Sequence, residues 1–300
     1  MYPPILNNND SGSLMFRRYS GKTNGRFASW LAILILTWSI FGCSSSVLIA
    51  DRYALANNFT RLTIPGQGYT HVIYLKEQSS ANRWHVYIEG DGLPWISKRF
   101  IARDPTPKQP LMLNLMNQDP ISNIYLGRPC YHGMVIESNC NPWLWTHGRY
   151  SKQVVTSMVS ALNKLIHSRH IKQVTLIGHS GGGTLAVLMA ERIKEVDTII
   201  TLAGNLDVRA WTEQHGYTTL KGSLSPAQRT SLPKSIREYH FIGDKDQVIP
   251  QHAILQYANK RPSACLNVIH NCTHRDCWEN YWIPILVSVA NGQGCRGINP

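Results

Sequence analysis

Residues 178–183 read Gly-His-Ser-Gly-Gly-Gly and follow directly on the apolar run Val174-Thr175-Leu176-Ile177; a Leu-, Ala- and Met-rich segment of helical character comes next. A strand that turns at once into a helix forces its corner residue into a strained backbone, and a side chain at either flanking position would collide with the neighbouring turn. Glycines at 178 and 182 remove that collision, which makes Ser180 the candidate nucleophile. A serine hydroxyl is a poor nucleophile near neutral pH. It needs a base to take its proton, and the base needs an acid that fixes its tautomer and stabilises its cation. A carboxylate and a histidine should therefore follow on neighbouring loops. For the acid, Asp246 in Gly243-x-x-Asp246-x-Val248-x-Pro250 comes first, ahead of Asp244 and, more distantly, Asp207. For the base, His274 comes ahead of His270, which closes a strand, while His179 should diverge from Ser180 at the turn and serve a structural purpose.

These loops need a frame. Phe59 to Ile64 and His71 to Lys76 alternate apolar and polar residues around Pro65-Gly66-Gln67-Gly68, which predicts a β-hairpin. Trp84 to Ile88, Asn123 to Leu126, Asp197 to Leu202, His240 to Ile242 and Leu266 to Ile269 supply further short strands, and Val154 to Ile166 has the apolar spacing of a helix. Strands alternating with helices predict a mainly parallel sheet with helices on both faces. Ligands of such sheets bind at the carboxyl ends of the strands. Four loops converge on that edge: Glu89-Gly90-Asp91-Gly92, the serine turn, Gly243 to Asp246, and the stretch leading to His274.

The order Ser180, Asp246, His274 at strand ends resembles the α/β-hydrolase superfamily from about Phe59 to about Ala290. The resemblance implies the α/β-hydrolase fold and acyl transfer through an acyl-enzyme without a cofactor or metal. Acyl transfer also needs backbone donors aimed at the developing oxyanion. Gly181 N–H is one, and the resemblance puts the second on the loop after Ile88, with Asp91 N–H preferred and Gly92 next. Relatives often carry His-Gly there; Glu89 departs from that pattern, and its carboxylate must turn away to a basic or hydroxyl partner. The segment Ala203 to Ser235, where relatives often insert a lid, is short, so a small cap or none is expected. Trp95, Trp143, Trp145 and Trp211 are candidates either for a pocket or for packing anchors. The activity expected is hydrolysis of a small-molecule or envelope ester. Acyl transfer to another acceptor on the same triad, and a non-catalytic envelope-binding lipoprotein on the same scaffold, stand as alternatives.

Chain-wide features bear on the compartment. Arg17, Arg18, Lys22 and Arg26 precede the apolar run Trp30 to Phe41, which is short for a membrane span and suits a signal peptide, with an uncleaved anchor as the alternative. Ile40-Phe41-Gly42-Cys43 resembles the lipobox of bacterial lipoproteins, although Phe41 departs from the small or aliphatic residue usual there. The expected organisation is a signal peptide over 1–42, a tether over 43–58 with Cys43 as the lipidated residue, and an α/β-hydrolase domain over 59–300. Translation from Met15 would shorten the unusually long leader. Six further cysteines, Cys130, Cys140, Cys265, Cys272, Cys277 and Cys295, form an even set that implies disulfides and an oxidising compartment. Cys130 and Cys140 should pair, and the other four allow three pairings. Cys272-x-His274-x-x-Cys277 is too compressed for a zinc site and should instead carry disulfides that stiffen the histidine loop. The expected location is the cell envelope, held at a membrane by the lipid. Net charge is +12. Without Asp10 and the four leader bases, 26 bases face 17 acids, or +9, scattered without a basic stripe, which argues against a nucleic-acid partner. Oligomeric state is not legible in the sequence.

Overall fold

The structure, a computed structural model, describes residues 46–78, 82–229, 232–261 and 264–294. The expected signal peptide, Cys43 and Cys295 lie outside the described residues. Eight strands form one sheet in the order β1-β2-β6-β3-β7-β8-β9-β10. Its antiparallel edge is the hairpin β1 (Thr60–Pro65) and β2 (Thr70–Lys76), and β2 pairs antiparallel with β6 (Asn123–Leu126). From there every neighbour is parallel: β6 with β3 (Arg83–Ile88), then β7 (Gln173–His179), β8 (Val196–Leu202), β9 (Arg237–Gly243) and β10 (Ala264–Ile269). Parallel strands need crossovers, and crossovers place helices over both faces.

Alternation along the strands divides the core in two. Ile73, Val86, Ile88, Leu176 and Ile199 face one layer, with α3 (Lys152–Ser168), α4 (Gly181–Ala190) and α6 (Gln251–Asn259). Tyr74, Tyr87, Tyr125, Ile177 and Ile200 face the other, with α1 (Ser46–Ala56), α2 (Leu111–Gln118) and α7 (Trp278–Ala290). α3 starts where the Ser151 side chain accepts from Val154 N–H, satisfying a donor that the first turn leaves unpaired. Every residue of α4 is buried, so its apolar character on all sides fits a helix packed between the sheet and its neighbours.

The mainly parallel sheet with helices on both faces is present as expected. Between β8 and β9 the described chain forms the seven-residue α5 (Val208–Gln214), an isolated bridge from Ser223 to Ser151 and a short 3-10 turn, Pro226–Gln228, so this segment carries no large cap. Two segments differ from expectation. Residues 46–56, expected within a tether, form α1, because Ala50 and Ala54 give it a small apolar face that packs into the core beside Phe59. The stretch between β3 and β6, for which the sequence pattern predicts no element, holds the two-stranded hairpin β4 (Trp95–Ile96) and β5 (Phe100–Ile101), followed by α2. No helix among the described residues is long and apolar enough to cross a membrane.

Candidate active site

Ser180 stands at the junction of β7 and α4 with φ 53° and ψ −122°, a conformation that an L-residue adopts only when its surroundings enforce it. A Cβ on Gly178 would run into the backbone of Gly182, and one on Gly182 into the carbonyl of Ile88. The two glycines therefore let β7, β3 and α4 close around the serine.

Asp246 and His274 meet at the carboxyl ends of β9 and β10. His274 Nδ1 lies 2.9 Å from Asp246 Oδ2, and the two side chains are 15% and 4% exposed. The other carboxylate oxygen, Oδ1, accepts from the N–H groups of Val248 at 2.7 Å and Ile249 at 3.1 Å, which fixes the plane of the acid. Burial alone would raise the Asp246 pKa; the hydrogen bond and charge of His274, with those two N–H groups, hold it below its ordinary value. The competing pair, His270 Nδ1 and Asp244 Oδ2 at 3.1 Å, is at the surface, with His270 84% exposed. Asp207 caps α5 by accepting from the N–H groups of Arg209 and Ala210.

The histidine loop is held from three sides. The carbonyl of His274 accepts from His179 Nε2 at 2.7 Å and from Trp278 Nε1 at 3.1 Å, and the Cys272–Cys277 disulfide closes the short loop in which His274 lies. Because a carbonyl only accepts, His179 carries its proton on Nε2. Burial first, then the charge of His274, press the His179 pKa down to about 3, so the ring is neutral and structural. Its ring centroid lies 4.8 Å from that of His274, and this brings the His274 imidazole to the chain neighbour of Ser180. The Ser180 hydroxyl makes no hydrogen bond among the described residues; catalytic hydrogen bonds often tighten only in the substrate complex. Cys130 and Cys140 are also bonded to each other, and Cys265 is disulfide-bonded.

The loop after β3 carries a feature with no motif. Asp91 accepts from Arg128 Nη1 at 2.9 Å, Arg149 Nη1 at 2.8 Å and the Tyr150 hydroxyl at 2.6 Å, and its backbone carbonyl accepts from the Tyr131 hydroxyl at 2.9 Å. Burial would raise the carboxyl, but the two guanidiniums outweigh it and bring its pKa to about 2. A methyl group on Gly181 would collide with the Asp91 carboxylate and the Tyr150 hydroxyl, so this cluster abuts the residue after Ser180. Neither Gly181 N–H nor Asp91 N–H has an acceptor among the described residues. Glu89 does turn away, but to backbone donors where a basic or hydroxyl partner was expected. Its carboxylate accepts from Met112 N–H at 3.0 Å, in the first turn of α2, and from Gly90 N–H at 3.1 Å. Helix N-terminal N–H groups lack intrahelical partners and carry partial positive charge, which suits a buried carboxylate there.

Sequence reasoning did not single out Arg128, Arg149 or Tyr150. Arg128 sits two residues beyond the end of β6, on the same sheet edge as the other loops, and that position was a usable signal. Arg149 and Tyr150 precede α3 in a segment without pattern. Of the four tryptophans, Trp95 and Trp211 line a cavity of about 430 Å³, Trp145 is buried and donates to Ala102 O at 3.1 Å, and Trp143 packs over Gly148 and Gly222. No group of histidine, cysteine, aspartate and glutamate among the described residues is arranged to hold a metal ion.

No protein-family model and no curated protein matches this sequence. Solved structures match it by fold. The Pyrococcus furiosus esterase PF2001 is 10% identical with a TM-score of 0.56, over 78% of this chain and 88% of that one. A membrane phospholipase A, a bacterial virulence factor, is 12% identical with a TM-score of 0.54, over 91% and 99%. A Mycobacterium tuberculosis puromycin-hydrolyzing peptidase is 12% identical with a TM-score of 0.57, over 80% of this chain and 40% of that one. At such identities the likeness concerns architecture, and the architecture is the α/β-hydrolase fold.

Proposed function

We propose that this chain, built on the α/β-hydrolase fold, is a serine hydrolase that cleaves carboxylic esters through an acyl-enzyme. The observation that carries the reading is the strained Ser180 turn on the same strand edge as a buried aspartate–histidine pair. Ser180 Oγ attacks the ester carbonyl as His274 Nε2 takes its proton; Asp246 keeps the Nδ1 proton in place and stabilises the imidazolium. The N–H groups of Gly181 and Asp91 receive the oxyanion. Collapse of the tetrahedral adduct expels the alcohol, which takes the proton back from His274, and water then repeats the sequence to release the acid. The ionised Asp91 is balanced by Arg128 and Arg149, so its carboxylate does not oppose the oxyanion forming beside its own N–H. Structural neighbours that include an esterase and a phospholipase support hydrolysis as the reaction class. The test is hydrolysis of p-nitrophenyl esters of graded acyl length. Turnover by the wild type and none by Ser180→Ala is expected; equal turnover by both would reject the assignment.

Export and lipid attachment at Cys43 belong to the same proposal. The bonded Cys130–Cys140 and Cys272–Cys277 pairs support an oxidising compartment. Cys43→Ala should move the protein from the membrane fraction to the soluble fraction of the cell envelope. A wild-type protein that is soluble from the outset would contradict the anchor.

A further inference from the structure

The cavity of about 430 Å³ lies between the hairpin β4–β5 and the segment after β8. Neither Ser180 nor His274 lines it, yet it adjoins the site through one residue. Arg149 forms part of its wall, and the same guanidinium holds the Asp91 carboxylate that abuts Gly181.

The polar groups in this wall are unbalanced in one direction. Lys98, His147 and Arg149 line the cavity, and no aspartate or glutamate does. Arg149 is 6% exposed; Nε donates to Thr146 O at 2.6 Å and Nη1 to Asp91, while Nη2 has no acceptor among the described residues. Trp211 contributes its indole 5.9 Å from that guanidinium, and its buried Nε1–H also lacks an acceptor. Behind the wall, the Asp91 carboxylate faces two buried guanidiniums, those of Arg128 and Arg149. A buried donor such as the Trp211 Nε1–H is almost always satisfied, and charge-assisted bonds from a guanidinium such as that of Arg149 to an oxyanion are among the stronger ones. Trp95, Trp211 and Tyr217 supply the apolar remainder of the wall.

We infer that this cavity binds an oxyanion, a carboxylate or a phosphate-type group, carried on an apolar body. The oxyanion meets Arg149 and Lys98, and the body lies against the aromatic side chains. Its identification as the anionic end of the substrate rests on the hydrolase reading above; the binding chemistry does not.

Calorimetric titration of the full chain with 3-phenylpropionate, phenylphosphonate and neutral 3-phenylpropanol tests this. At least one anion should bind about tenfold more tightly than the alcohol, and raised salt should narrow the gap. Propionate alone would assign a carboxylate site and phosphonate alone a phosphate-type site. Lys98→Glu, at an exposed position, should weaken the anion about fivefold and leave the alcohol as it was. Anions binding no better than the alcohol, or unaffected by Lys98→Glu and by Arg149→Lys, would overturn the inference. Anion binding in a protein that turns over no ester would strike the hydrolase reading and leave the cavity standing; ester turnover with no anion preference would do the reverse.

Discussion

At the scale of single residues, Asp246 and Asp91 are two buried carboxylates with different tasks. Asp246 Oδ2 faces an imidazole, while Asp91 is saturated by two guanidiniums and a phenol. Asp246→Asn should keep the fold but present the wrong hydrogen-bonding partner to Nδ1, lowering kcat by roughly four orders of magnitude with little change in KM. Steady-state kinetics on a short p-nitrophenyl ester measure this. Asp91→Asn should act on stability as well, because it leaves two buried guanidiniums short of a counter-charge. A loss of about 3–5 kcal/mol is expected in urea denaturation, and an unchanged midpoint would contradict the clamp. Ser180, Asp246 and His274 were legible as candidates because each role demands a residue type at a strand end. The Asp91 clamp was not, because Arg128, Arg149 and Tyr150 come from separate segments and only packing brings them together.

At the scale of elements, the strands were legible because their apolar runs are short and bounded by turn residues. The hairpin and β6 fall within a residue of the expected limits. Helix α1 was not legible, since its face consists of two alanines in a segment that follows three serines, and only the core around Phe59 gives those alanines something to bury against. Ala54→Asp should therefore cost about 2–4 kcal/mol. A tether would tolerate it, so an unchanged unfolding midpoint would contradict the packing of α1. The histidine loop makes a second prediction at this scale. Replacing Cys272 and Cys277 together by serine should reduce kcat roughly tenfold through looser placement of His274. The far-UV circular dichroism should stay as it is.

At the scale of the whole molecule, acid stability follows from three buried imidazoles. Burial presses His71 to about 4, His132 to about 4 and His179 to about 3, against 6.5 for a free imidazole. From about pH 6.5 down to about pH 4 the unfolded chain therefore binds protons that the folded chain refuses, and stability falls as pH falls. Each histidine contributes up to about 1.4 kcal/mol per pH unit, so the three together give at most about 4. Asp91, depressed to about 2, contributes stability that is present above its unfolded value and lost as pH falls through about 2, outside that window. Urea midpoints measured from pH 7 to pH 4.5 should drop steeply, and a flat profile would contradict this account. The central claim is covalent, and one measurement addresses it directly: a fluorophosphonate allowed to react with the purified protein, followed by peptide mass spectrometry. The account predicts a single phosphonyl adduct on the peptide containing Ser180, absent from Ser180→Ala. An unmodified Ser180, or an adduct that persists in the variant, would contradict it.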